Sequence, residues 1–142
     1  FSKELVEPLA HVLANLGSHH VLVVHSEDGM DEISIGAPTF VAELKDDVVT
    51  SYTIQPEDFG LERADLASLK VEDAAQSLTV VKGVLENQPG PARDIVILNA
   101  GASLYVAGLA DSLAAGVKKA AEVLASGAAR TKLDELVKVS NA

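Results

Sequence analysis

The chain has 142 residues, no cysteine, 48% hydrophobic and 23% charged residues, a formal charge of −10 and a pI near 4.7. That length supports one domain or part of one, able to bury roughly two thirds of its unfolded surface. The acidic balance argues against a nucleic-acid surface, which needs a basic patch, and no apolar run approaches the roughly 18 residues of a membrane helix.

Ser2 is placed to cap a helix over 3–16, because Leu5, Val6, Leu9, Val12, Leu13 and Leu16 recur at helical spacing. Pro8 is tolerated near its start and Gly17 ends it. The β-branched run Val21–Val24 predicts a strand at 21–25, buried on both faces and therefore central in a parallel sheet. Short strands are expected next at Ile33–Ile35 and at Thr39–Leu44, the latter entered through Pro38. Asp46-Asp47 marks a tight turn, after which Val48, Thr50, Tyr52 and Ile54 alternate as the second arm of a hairpin. Residues 55–60 form a turn or one helical turn.

From Asp73 the periodicity becomes helical through Ala74, Leu78, Val81 and Leu85, and Pro89-Gly90-Pro91 stops it. The stretch Ile95–Ala102 imitates a strand entering a nucleotide loop. However, Ile95, Leu98, Ala102, Tyr105, Val106 and Leu109 share one helical face, which predicts a helix. Asp111 or Ser112 caps a further helix ending at Gly127, and Ala129, Leu133, Leu136 and Val137 carry a last one. The fold class is α/β: a short central sheet over 21–54, packed with helices and followed by a helical C-terminal tail. Such an order cannot close a wide parallel sheet unaided, so further strands are expected from elsewhere.

The chemistry concentrates in His25-Ser26-Glu27-Asp28-Gly29-Met30-Asp31-Glu32-Ile33-Ser34, where carboxylates follow a strand and a glycine turn. Ligands of open α/β sheets bind beyond the carboxyl ends of strands. Mg²⁺ takes one or two carboxylates and fills its remaining positions with water and phosphate oxygens, so Asp31 and Glu32 are candidate metal ligands. On local chemistry alone a solvated turn suits the same residues better than a metal site does. Glu27 and Asp28 are read as solvating the loop. Of the histidines, His11, His19 and His20 show no metal spacing, and His25 is the one near enough to orient the acidic loop. Ser103 and Ser112 lack a nucleophile-elbow context. Lys118, Lys119 and Arg130 belong on wet helix faces, and Tyr105 in the core.

Longer stretches bear on identity. Phe1-Ser2-Lys3-Glu4-Leu5-Val6-Glu7-Pro8-Leu9-Ala10, Val23-Val24-His25, Gly29-Met30-Asp31-Glu32-Ile33-Ser34 and Pro38-Thr39-Phe40-Val41-Ala42-Glu43-Leu44 resemble the C-terminal part of anthranilate phosphoribosyltransferases. Tyr52-Thr53-Ile54-Gln55-Pro56-Glu57-Asp58-Phe59-Gly60-Leu61 and Leu98-Asn99-Ala100-Gly101-Ala102-Ser103-Leu104-Tyr105-Val106-Ala107-Gly108 are similar to further stretches of that family. The resemblance covers essentially the whole chain but less than half of the family's usual length. The family's glycine-rich phosphate loop and Lys-His-Gly-Asn segment do not occur here.

This resemblance implies that 1–142 is the C-terminal portion of the family's large phosphoribosyl-binding domain, without its N-terminal helical domain. It implies a magnesium-dependent transfer of phosphoribose from phosphoribosyl pyrophosphate to anthranilate, with Asp31 and Glu32 matching the family's metal-binding pair. It carries no catalytic base onto these residues, and implies that they are inactive alone. A cytoplasmic homodimer is the implied state of the complete enzyme, with no nucleic-acid or membrane partner. The non-Met start and the lack of signal-peptide features at Phe1 fit cleavage or incomplete observation of a longer chain. The rival readings are a non-catalytic binding module of the same fold and a related pyrimidine nucleoside phosphorylase.

Overall fold

The computed structural model describes residues 2–141; Phe1, where the first resembling run begins, and Ala142 lie outside the described residues. The first helix starts as a 3-10 turn at Lys3–Leu5 and continues as α1, Val6–Asn15. Ser2 precedes the turn without capping it, because its hydroxyl donates instead to Glu4 Oε2 at 2.7 Å.

Three strands follow: β1 (His20–Ser26), β2 (Thr39–Lys45) and β3 (Val48–Ile54), antiparallel in the order β1-β2-β3. The β2–β3 hairpin forms as expected. Asp46 and Asp47 both take positive φ, 51° and 63°, the geometry that matches the twist of a two-residue hairpin.

Two strand expectations fail. Among the described residues β1 is not the centre of a parallel sheet: it pairs with β2 alone, antiparallel, and lies at the sheet edge. Its apolar character has another cause, since helices cover both faces. Val23 and Ala42 pack on Val6 and Ala10 of α1, while Leu22, Val24 and Val41 face the larger core. Ile33–Ile35 form no strand either. The Ile33 and Ser34 amides donate to side chains, of Asn99 and Thr39, and the Ile35 carbonyl accepts from Ala64.

After 3-10 turns at Pro56–Phe59 and Leu66–Leu69 come α2 (Ala74–Leu85), α3 (Pro91–Val106), α4 (Leu113–Ala125) and α5 (Ala128–Ser140). Asp73 caps α2 by accepting from the Gln76 amide, and Ser112 caps α4 by accepting from the Ala115 amide. The ambiguous stretch 95–102 lies within α3, whose Ile97 and Leu98 are 1% exposed in the core beneath β1 and β2.

Helices α3 and α4 meet backbone to backbone. A Cβ on Gly101 would lie 2.5 Å from the Val117 backbone nitrogen, and one on Gly116 would overlap the Gly101 carbonyl. A buried carboxylate then ties α3 to the sheet. Glu43 Oε1 accepts from the Tyr105 hydroxyl at 2.7 Å and lies 3.0 Å from His20 Nε2, while Oε2 accepts from the Tyr52 hydroxyl at 2.9 Å. Lys45 Nζ completes the group with a 3.1 Å bond to the Tyr105 oxygen. Burial pushes Glu43 up, but the hydrogen bonds from Tyr105, Tyr52 and His20 outweigh it and hold the carboxyl below its ordinary value. Tyr52 is pushed well up, first by burial and then by its bond to Glu43.

Gly116→Ala is expected to lower unfolding free energy by about 1–3 kcal/mol, the usual cost of overpacking, because the obstacle is backbone that cannot swing aside. Urea denaturation measures it, and a change below about 0.5 kcal/mol would contradict the close approach. The Glu43 group has a pH signature. Its contribution is complete between the unfolded values near 4.5 for glutamate and 10.0 for tyrosine. It is lost as pH falls through the lowered Glu43 value, and again as pH rises through the raised Tyr52 value. Glu43→Gln should therefore flatten the acid limb of a urea-midpoint profile; identical acid limbs would contradict the assignment.

Candidate functional site

The loop 27–38 leaves the carboxyl end of β1 and returns into β2. It opens with a tight turn in which the Gly29 amide donates to the Ser26 carbonyl at 3.0 Å, Gly29 itself sitting at φ +84°. It then dips inward. Ile33 is 3% exposed, Ser34 and Ile35 are 0% exposed, and both isoleucines belong to the main core, yet Asp31 and Glu32 immediately before them are exposed. Two adjacent carboxylates are thus displayed in water on a segment whose next residues are fixed in the interior.

Polar side chains make that descent possible. Asn99 of α3 accepts from the Ile33 amide through Oδ1 at 3.0 Å and donates through Nδ2 to the Ile33 carbonyl at 2.9 Å. The same Nδ2 donates to the Ile95 carbonyl at 3.0 Å, one helical turn back. Thr39 Oγ1 accepts from the Ser34 amide at 3.1 Å, and Ser34 Oγ accepts from the Gly36 amide at 2.8 Å. The Ser34 hydroxyl donates to Asp28 Oδ2, and Asp28 Oδ1 accepts from the Met30 amide at 3.2 Å.

Asp28 is therefore more than a solvating charge. Burial pushes it up, but the hydroxyls of Ser34 and Ser26 and the Met30 amide more than offset that and hold it below the ordinary carboxylate range. Glu27 is exposed, in keeping with a solvating role.

Glu32 also lines an open groove of about 490 Å³ between the β1 edge and α3, with His20, Leu22, Val24, Asn99 and Ser103. His25 does not share it. Side chains alternate along a strand, so His25 lies on the face of Val23, toward α1, while His20, Leu22 and Val24 face α3. Its Nδ1 is buried without a partner among the described residues, and nothing links it to the acidic loop. Tyr105 is in the core, Ser112 is a helix cap, and Arg130 on α5 pairs with Asp134 one turn on and with Glu86 at the end of α2.

The arrangement suits one kind of metal chemistry. Among the described residues no group of three or more His, Cys, Asp or Glu is assembled for a closed metal cage. Two exposed neighbouring carboxylates instead fit a hard cation that keeps waters and takes further oxygens from a phosphorylated ligand. Asn99 and Asp28, which shape this display, were not singled out by spacing. The readable signal for Asn99 is a polar amide directly after the apolar run Ile95–Leu98, since a half-buried amide in a core helix must find partners.

Comparison with known proteins places the chain. It is 64% identical over 137 residues to the anthranilate phosphoribosyltransferase of Thioalkalivibrio sulfidiphilus, covering 96% of this chain and 40% of that protein. It is 58% identical over 135 residues to that of Methylococcus capsulatus, covering 95% and 40%. The chain thus spans about 40% of the length of the curated relatives it matches. The crystal structure of anthranilate phosphoribosyltransferase from Thermus thermophilus superposes with a TM-score of 0.90 at 39% identity, covering 100% of this chain and 42% of that one. The Saccharomyces cerevisiae enzyme in complex with PRPP and Mg shares the fold at a TM-score of 0.86 and 23% identity, again over 42% of its length. Residues 1–130 match the sequence model described as "Glycosyl transferase family, a/b domain". With that match over most of its length, the chain belongs to this glycosyl transferase family.

Proposed function

We propose that the chain is the C-terminal portion of the large α/β domain of an anthranilate phosphoribosyltransferase. The complete protein would transfer phosphoribose from phosphoribosyl pyrophosphate to anthranilate, in tryptophan biosynthesis. In that reaction the anthranilate nitrogen bonds to the ribose anomeric carbon, the bond from that carbon to the pyrophosphate oxygen breaks, and the amine gives up a proton. The products are N-(5-phosphoribosyl)-anthranilate and pyrophosphate. The observation that carries the reading is the exposed Asp31-Glu32 pair, held on a core-anchored loop at the carboxyl end of β1, in a chain 64% identical to such an enzyme.

Asp31 and Glu32 would hold Mg²⁺. When bound, that ion supplies neutralisation of the charge developing on departing pyrophosphate. The protein's own contribution is positional: Ile33 and Ile35 anchor the loop while Asp28 and Ser34 brace its turn, keeping both carboxylates exposed, with Glu32 at the groove along β1. The β1 edge supports the domain assignment, since an apolar strand with no strand partner on its outer side among the described residues is the natural place for a strand from the remaining 60% of the relatives' length. That remainder would also bring the glycine-rich phosphate loop, the helical domain and the contacts of a cytoplasmic homodimer.

The test is turnover by the complete protein with anthranilate, phosphoribosyl pyrophosphate and Mg²⁺. Activity is expected, and Asp31→Ala should reduce Mg²⁺-dependent turnover by about 100-fold or more. Full activity in that variant would overturn the metal assignment, and phosphorolysis of a pyrimidine nucleoside in place of transfer would overturn the reaction.

A further inference from the structure

We infer that Asn99 is a positioning residue for the metal-binding carboxylates, acting through the backbone of Ile33. The inference rests on the reading of Asp31 and Glu32 as ligands and goes beyond it, to a residue 66 positions away on another element. An asparagine amide beside a peptide imitates a neighbouring strand, with one acceptor and one donor in fixed spacing. Here both halves are used on a single residue: the Ile33 N–H at 3.0 Å and the Ile33 C=O at 2.9 Å. The third bond, to the Ile95 carbonyl at 3.0 Å, fixes which way the amide faces, because a flipped group would set its oxygen against two carbonyls.

Ile33 is joined to Glu32 by one peptide plane, so holding its N–H also holds the Glu32 carbonyl carbon, and with it the direction in which the Glu32 side chain leaves the backbone. The Glu32 side chain and Asn99 line the same groove, so the clamp and the carboxylate it orients are neighbours in space. α3 in turn is fixed by the Gly101–Gly116 approach and by Tyr105 on Glu43, so the clamp is mounted on a rigid support. Residues that orient metal ligands from behind in this way typically change metal affinity about 10- to 100-fold when replaced.

The experiment uses the complete protein and Mn²⁺ as probe, followed by electron paramagnetic resonance with and without phosphoribosyl pyrophosphate. Asn99→Asp keeps the shape and the acceptor but turns an oxygen toward two carbonyls, and Asn99→Ala removes both bonds. Each is expected to weaken Mn²⁺ binding about tenfold or more, and to raise the Mg²⁺ concentration for half-maximal turnover more than it lowers turnover at saturating Mg²⁺. A purely structural role would lower the melting temperature with Mn²⁺ affinity unchanged, and that result overturns the inference. Asp31→Ala separates the two ideas: if it abolishes Mn²⁺ binding while both Asn99 variants bind normally, the metal reading stands and the clamp fails. If Asp31→Ala binds Mn²⁺ normally, the metal reading fails and takes the inference with it. Amide exchange of the peptide over 30–36 in the unaltered protein needs no variant. The Ile33 N–H should exchange slowly even before Mn²⁺ is added, and exchange as fast as that of an exposed loop amide would overturn the clamp.

Discussion

A loop that carries apolar side chains into a core must bring hydrogen-bond partners for its own peptide groups, because an unpaired buried N–H or C=O costs about 1–3 kcal/mol. The segment 27–38 is under that constraint. It sinks Ile33, Ser34 and Ile35 into the interior without joining a strand, and it recruits Asn99, Thr39 and the Ala64 amide in place of a ladder. The result is a backbone fixed on one side of the Glu32–Ile33 peptide and open to water on the other. That boundary makes the acidic pair a defined feature rather than a floppy turn.

The same energetics sort the carboxylates. Glu43 is buried with its oxygens hydrogen-bonded to two tyrosines and lying beside a histidine, so its charge is already satisfied within the core and faces no cation from solvent. Asp28 spends its oxygens on Ser34 and the Met30 amide. Asp31 and Glu32 are exposed, with Glu32 at the groove, so a cation would lose little of its hydration on arrival. The formal charge of −10 on these residues repels a polyphosphate, and a cation held here would offset that repulsion locally.

Much of this was legible in the sequence. The hairpin followed from alternation on either side of Asp46-Asp47, residues that tolerate positive φ, and the later helices from their spacing and, for α4, from Ser112 as one of two cap candidates. The acidic pair stood out, and so did the family, through runs spread along the chain. Strand direction was not legible. An apolar run reports that both faces are covered, which α1 and α3 do for β1, but says nothing of the direction of its edge partner, which among the described residues is the antiparallel β2. Ile33–Ile35 misled for a related reason: alternation of Ile, Ser and Ile reports burial, while strand identity depends on where the backbone bonds go. Asn99 and Asp28 act through contacts 66 and 6 residues away, which no local pattern encodes.

The claim that the core-anchored loop is a metal platform is tested most directly by a crystal structure of the complete protein grown with Mn²⁺ and phosphoribosyl pyrophosphate, with the metal located by anomalous scattering. The account predicts a manganese peak about 2.0–2.3 Å from a carboxylate oxygen of Asp31 or Glu32, its other positions filled by water and phosphate oxygens. A manganese ion coordinated wholly by other residues, with both carboxylates left in solvent, would contradict it.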